Sequence, residues 1–343
     1  MEPLNRMLTQ LLDQGRVWIH SGMAIGLPLR GPWPLITLFL VSSLVMLWRL
    51  GAVERKGVEG TLAGTLVMPY CSGFANLAFA FVMARTHGSG TLVLENCLVN
   101  NVTNLTLILG LVSLLGKNPR ESKTFEGSVD TRIGYFSLLL TLIALLFFTA
   151  AIWVLSRDKR LDRSDGMVLF GLFVFWQIIH VIEVMKTNTR KDRSLDSSVI
   201  LDFIIILGCA WGSFYSIEGL VKWIAAYNSG WLSMKYLGFI SGLFMVIPNA
   251  LFALYYTLTG RSDIAYSSQI GDCHICIPLC IGLYALFLPI RIPGSFDTAV
   301  YLILGTGTVL FAALAGGRVP RTLGAVMALS YSVLICFGLI HLK

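Results

Sequence analysis

The stretches SGFANLAFAF (Ser72–Phe81) and LENCLVNNVTNLTLILG (Leu94–Gly110) return in altered form as VIPNALFALYY (Val246–Tyr256) and SSQIGDCHICIPLCIG (Ser267–Gly282). Each pair is an apolar helix with an Asn near its middle, a short polar turn, and a second helix carrying a polar stripe. The two copies run from about Thr61 to Leu115 and from about Gly238 to Leu288. Asn, Asp and His are costly in hydrocarbon unless they face the protein interior, so their default reading is a substrate or ion pathway. Paired repeats with interrupted helices at matching positions point further, to a secondary transporter.

The rest of the 343-residue chain agrees. It is 55% hydrophobic and 13% charged, with a mean hydropathy of +0.74, a balance that excludes an ordinary soluble domain. Apolar windows long enough to cross a bilayer fall near residues 34–50, 60–83, 92–115, 134–155, 166–185, 197–216, 237–258, 264–288, 298–315 and 323–341. The expected fold class is an all-α integral membrane protein, multi-pass, of about ten transmembrane helices. Connections are short, and the longest charged one, near Met185–Leu195, is too small to fold alone.

Several function classes drop out. The seven Cys all lie inside predicted spans, which argues against an extracellular disulfide framework. No Walker-type glycine loop, H-E-x-x-H or G-x-S-x-G motif occurs, so no enzyme activity and no cofactor are expected. The net charge of +7 is spread over loops on both faces and reads as headgroup contact, not nucleic-acid binding. Counted by alternate loops, Lys and Arg divide 12 to 14, a slight excess that places the central loop inside and both termini outside. The first 30 residues lack a basic start followed by an apolar run. Leu4, Met7, Leu8 and Leu11 recur at helical spacing, as in an interfacial helix lying on the membrane.

The halves repeat beyond the polar helices. The fourth and fifth spans, and the ninth and tenth, are joined by R-x-x-R-x-x-G: Arg160, Arg163 and Gly166, then Arg318, Arg321 and Gly324. The chain therefore divides into an interfacial segment (1–30), a first five-helix repeat (31–190, polar helices 60–115) and a second (196–343, polar helices 237–288). An odd number of spans per repeat forces opposite orientations, so the repeats are inverted and their polar segments face one another near the midplane.

Within each repeat, local chemistry marks a site. Pro248 removes a backbone donor just before Asn249, and Pro69 with Gly73 is expected to disturb the helix before Asn76. Carbonyls freed in hydrocarbon must find protein, water or an ion. Asn96, Asn100 and Asn104 form one stripe at i, i+4, i+8, and Ser268, Asp272 and Cys276 form its counterpart. Asn can also serve only to bond neighbouring helices together. Gly271–Cys276 (GDCHIC) offers Asp, Cys and His, and with Cys71 and Cys97 it opens a transition-metal route as an alternative, with His274 as a packing residue otherwise. His180 and Glu183, with Asp202 and Glu218, read either as a proton relay or as interfacial charges.

Five plus five spans with polar repeats on the second–third and seventh–eighth resemble the calcium/cation antiporter superfamily, which includes sodium/calcium and cation/proton exchangers. In that family each repeat reads roughly G-T-S-x-P-E and then G-N-x-x-G-S-N-x-x-N/D. Here the first motif falls on Cys71–Asn76 and Phe244–Asn249, and the second on Glu95–Asn104 and Ser267–Cys276. The resemblance implies a secondary active cation antiporter working by alternating access, with an inorganic cation such as calcium, sodium or another as substrate. It also implies ion-site candidates Asn76, Asn100, Asn104, Asn249 and Asp272, with Glu95 and Cys276 at the periphery. The departures are specific: both family Glu are replaced, by Asn76 and Asn249, and only Asp272 keeps a charge at a family ligand position. Calcium favours six to eight hard oxygens including carboxylates; one or two carboxylates suit a monovalent cation, a proton or a weakly held divalent ion. Loss of both Glu leaves open a non-transporting scaffold or regulatory membrane subunit with a protein partner.

Overall fold

A segment crossing hydrocarbon must satisfy its own backbone polar groups, which leaves helices as the element available to these apolar runs. The computed structural model describes residues 31–55, 68–116, 129–188, 198–229 and 233–341; the expected interfacial helix within residues 1–30 lies outside them. Among the described residues the chain forms ten helical spans. They are α1 (Pro32–Arg55), α2 (Met68–Arg85), α3 (Gly90–Val102, continued through Leu109–Leu115), α4 (Val129–Leu155), α5 (Arg163–Asn188) and α6 (Ser198–Tyr227). The remainder are α7 (Leu237–Met245 and Ile247–Leu258), α8 (Ser262–His274, continued through Gly282–Phe287), α9 (Phe296–Ala315) and α10 (Arg321–His341). Eight of the spans are long and apolar enough to cross a membrane, and this is a multi-pass integral membrane protein.

Burial sorts them. In α3 and α8, 78% and 83% of the spanning window is enclosed by protein, against 22% in α5, whose Phe175 and Ile178 face outward. The two polar-striped helices are thus the central pair. α1 and α6 pack along one another antiparallel, with Ser43 Oγ 3.4 Å from Ser213 Oγ and Arg49 Nη1 3.2 Å from Asp202 Oδ1. Two short strands, β1 (Arg160–Leu161) and β2 (Ile290–Arg291), pair antiparallel at one end of the bundle, Arg160 opposite Arg291. They tie the α4–α5 connection to the α8–α9 connection.

The inverted repeat is written into the helix geometry. α3 widens into a π-helical segment at Thr103–Ile108, and α8 does the same at Ile275–Ile281. Thr103 and Ile275 are 172 residues apart, the offset that also separates Asn100 from Asp272 and Asn101 from Cys273. The causes differ. In α8, Pro278 cannot donate to the preceding turn. In α3, the hydroxyls of Thr103 and Thr106 bond back to the Val99 and Val102 carbonyls at 2.7 and 2.6 Å, competing with the regular ladder. Beyond each π segment a glycine lets a partner helix in: a Cβ on Gly110 would lie 2.8 Å from the Gly324 carbonyl, and one on Gly282 would lie 3.4 Å from that of Gly166. The glycines of the two R-x-x-R-x-x-G junctions therefore play matching roles, one against α3 and one against α8.

The expected interruption before Asn249 is present: α7 breaks at Val246, with Pro248 in the first turn of its second segment. Gly73 causes no such disturbance before Asn76. α2 runs unbroken from Met68 to Arg85, through Gly73 and Asn76. The turn that Pro69 would disturb, through the carbonyl four residues before it, lies outside the described residues. Gly73 serves contact instead: a Cβ there would lie 2.7 Å from Ile275 Cβ and 2.9 Å from Asp272 Oδ1.

Candidate ion site

The polar stripes of α3 and α8 meet at the middle of the bundle. Asp272 is fully buried, and its Oδ2 accepts three amide N–H bonds: from Asn104 at 2.7 Å, Asn100 at 2.9 Å and Asn249 at 3.2 Å. One carboxylate oxygen of α8 thus gathers donors from α3 and α7, joining both repeats. Asn249 also donates to the Ser72 carbonyl of α2 at 3.2 Å, and Asn100 to Cys276 Sγ at 3.2 Å. Of the seven sequence-derived candidates, five are therefore in direct contact: Asn100, Asn104, Asn249, Asp272 and Cys276.

The other two behave differently. Asn76 is fully buried, and neither its Oδ1 nor its Nδ2 has a hydrogen-bond partner. Glu95 stands apart. It lies against Gly238 of α7, where a Cβ would come within 2.8 Å of its Oε2.

The acceptors outnumber the donors. Asp272 Oδ1 has no hydrogen-bond partner, nor have the side-chain oxygens of Asn76, Asn96, Asn100, Asn101, Asn104 and Gln269. Buried polar atoms in folded proteins are paired in the great majority of cases, so a concentration of unpaired oxygens is a chemical statement about the site. Those oxygens cannot satisfy one another. Calcium's demand for several carboxylates is not met here, since Asp272 is the one acidic side chain hydrogen-bonded within the cluster.

Sequence reasoning missed three participants. Gln269 donates to the Asn249 carbonyl at 3.3 Å, Asn101 donates to the Cys273 carbonyl at 3.2 Å, and Ser241 Oγ accepts from Asn96 at 2.9 Å. Asn96 also reaches Met245 Sδ at 3.5 Å, so the α3 stripe splits: Asn100 and Asn104 turn to α8, Asn96 to α7. Asn101 and Gln269 were visible as polar residues in hydrocarbon, but each sits one position off its stripe.

The soft-metal constellation comes together only in part, Cys97 meeting Cys276 and Cys280 across α3 and α8. His274 turns away from Asp272, with Nε2 2.7 Å from the Thr141 carbonyl and its ring edge-on to Phe148 and Trp176. Among the described residues, no three His, Cys, Asp or Glu side chains are arranged to hold a metal. The relay candidates divide too: Asp202 pairs with Arg49, Glu218 with Lys222 at 2.8 Å and Arg85 at 3.7 Å, and His180 stacks on Trp176. The side chain of Glu183 lies outside the described residues.

Residues 33–181 match the family model of the sodium/calcium exchanger protein. No curated protein matches the chain. Solved structures of the sodium-calcium exchanger NCX_Mj are similar over nearly the whole fold. One, soaked with 2.5 mM Na+ and 10 mM Sr2+, is 15% identical with a TM-score of 0.64, covering 88% of this chain and 95% of that one. Another, soaked with 2.5 mM Na+ and 0.1 mM Ca2+, is 14% identical with a TM-score of 0.62 over the same shares, 88% and 95%. A third, soaked without Na+ and Ca2+, is 16% identical with a TM-score of 0.60, again covering 88% and 95%. The chain thus carries a match to the sodium/calcium exchanger family over residues 33–181 and, over most of its length, a fold similar to that of NCX_Mj.

Proposed function

We propose that this protein is a secondary active cation antiporter that moves a cation against sodium or protons by alternating access. One observation carries the reading: three amides hold one oxygen of a fully buried Asp272, while its other oxygen and the surrounding amide oxygens are left without donors. A buried carboxylate without a balancing charge is strongly unfavourable, and a membrane interior offers no water to relieve it. A cation seated among those oxygens balances the charge and engages the unpaired acceptors at once.

Asp272 is the charged ligand. Asn100, Asn104 and Asn249 position its carboxylate by fixing Oδ2, and the side-chain oxygens of Asn100 and Asn104 remain unpaired. Asn76 supplies a further neutral oxygen, and Cys276 a peripheral sulfur. α1 and α6 form the moving element, sliding as a unit against α2, α3, α7 and α8. Family resemblance supports that division. So does packing, because the α1–α6 contact is a long antiparallel one, while the polar core is tied together through Asp272.

A scaffold that kept this fold without transport would gain nothing from unpaired oxygens at its centre, and mutual hydrogen bonding would have removed them. The test is ion flux in proteoliposomes under an opposing sodium or pH gradient, comparing wild type with Asp272→Asn. Gradient-driven flux that the substitution abolishes supports the antiporter. Well-folded wild-type protein that moves no tested cation sinks it and points to a partner-binding role.

A further inference from the structure

We infer that the cargo is a single monovalent cation, exchanged one for one with another monovalent cation, and that divalent ions are not carried. This rests on the antiport reading above and narrows it.

The argument is one of charge in a closed space. Asp272, Asn100 and Asn104 are fully buried and Asn249 is 2% exposed, so whatever sits there is sealed from water. Inside such a compartment net charge dominates over contact number, because Coulomb energies are weakly screened and desolvation is not recovered from the surroundings. The cluster holds one negative charge. Glu95 lies against Gly238, apart from it, and no Lys or Arg reaches Asp272 among the described residues. A monovalent cation brings the occluded site to neutrality. A divalent ion leaves one uncompensated positive charge, and Asn oxygens contribute dipoles only.

The positions where further charge would be expected are filled by amides. Asn249 is engaged with Asp272 and the Ser72 carbonyl, and Asn76 is buried with both amide atoms unpartnered. An unpartnered, fully buried amide can offer its oxygen to an ion of low charge density without a carboxylate's desolvation cost. The same charge count explains why exchange would be obligatory. A carrier that closed empty would bury Asp272 unbalanced, so each closure requires a cation, and one that carries a monovalent ion each way moves no net charge.

The experiment uses the full chain in proteoliposomes loaded with radioactive sodium. Efflux is followed after adding external Na+, Li+, K+, Ca2+ or Sr2+, at imposed inside-negative and inside-positive potentials. The expected result is efflux accelerated by one or more monovalent ions, unaffected by Ca2+ and Sr2+, at a rate independent of potential. Acceleration by a divalent ion, or a rate that follows the potential, overturns the inference while leaving antiport standing. No acceleration by any cation or by an external acid step, from vesicles loaded in parallel with radioactive sodium and radioactive rubidium, overturns both. Thermal unfolding in detergent gives a second readout. Ca2+ is expected to stabilise Asn249→Glu but not wild type, and stabilisation of wild type by Ca2+ beyond that by Na+ overturns the proposal even if the variant does not fold.

Discussion

Asn100 and Asp272 hold the same position in the two repeats, 172 residues apart, and are hydrogen-bonded to each other, Nδ2 to Oδ2 at 2.9 Å. Counterparts that touch must lie on the axis relating the repeats, so the one buried charge of the site sits almost on that axis. Asn101 and Cys273, also 172 apart, meet there as well.

A charge on a symmetry axis should tolerate being moved across it. Asp272→Asn alone is expected to abolish exchange. Adding Asn100→Asp returns a carboxylate to the same place from the other helix, and exchange should recover to within about tenfold of wild type, a deficit of about 1.4 kcal/mol. Flux in proteoliposomes, with thermal midpoints as the check on folding, decides it. A well-folded double variant as inert as the single one would show that the surroundings of α8, not the shared axis, make Asp272 functional.

The glycines of the two basic junctions predict matched stability effects. A Cβ on Gly324 would lie 2.7 Å from Ser113 Cβ, and one on Gly166 would lie 2.7 Å from the Leu286 backbone nitrogen. Gly324→Val and Gly166→Val should each destabilise by about 1–3 kcal/mol through overpacking at the helix crossing. Gly171 has open space at its Cβ, and Gly171→Val should change little. Thermal unfolding of the three variants in one detergent is the measurement. Equal midpoints would mean the crossings yield more readily than the distances imply.

Much of this was legible in the residues. Ten spans, the opposed five-helix repeats and the pairing of the Asn100 and Asp272 stripes come from hydropathy, the R-x-x-R-x-x-G junctions and i, i+4 spacing. The illegible parts have physical causes. Counting by fours assumes an unbroken α-helix, and the π segments at Thr103–Ile108 and Ile275–Ile281 rotate the residues beyond them about the helix axis. That Asn96 leaves its stripe for Ser241, or that His274 turns to Thr141, depends on helices more than a hundred residues away. The pairing of Arg160 with Arg291 joins two-residue strands too short to leave a periodic signal.

The Arg49–Asp202 pair should hold α1 to α6. The Asp202 side chain is 1% exposed and that of Arg49 29%, which screens the interaction in part. Arg49→Ala is expected to cost roughly 1–3 kcal/mol, since removing a cation from beside a buried carboxylate is penalised more than the pair itself stabilises. The reversed pair, Arg49→Asp with Asp202→Arg, should recover a good part of that loss. Thermal midpoints of the two singles and the double measure the coupling. Additive losses would mean that the two residues act independently.

Cross-linking tests the proposed division into a moving element and a core. Ser43 and Ser213 approach to 3.4 Å between Oγ atoms, which makes Cys at both positions a candidate disulfide between α1 and α6. In the proposed mechanism both residues belong to the sliding unit, so Ser43→Cys with Ser213→Cys should leave exchange intact after oxidation. Phe81 of α2 and Phe214 of α6 also face each other, with ring centroids 5.9 Å apart, but one lies in the core and the other in the sliding unit. Joining Phe81→Cys to Phe214→Cys with a short bis-maleimide should stop exchange, while the unlinked double variant keeps most of it. Flux before and after linking, on the same preparations, reads the result. If the α1–α6 disulfide stops exchange, those helices do not move together. If the α2–α6 link leaves exchange intact, α6 does not move against the core, and alternating access in this protein must use a different element.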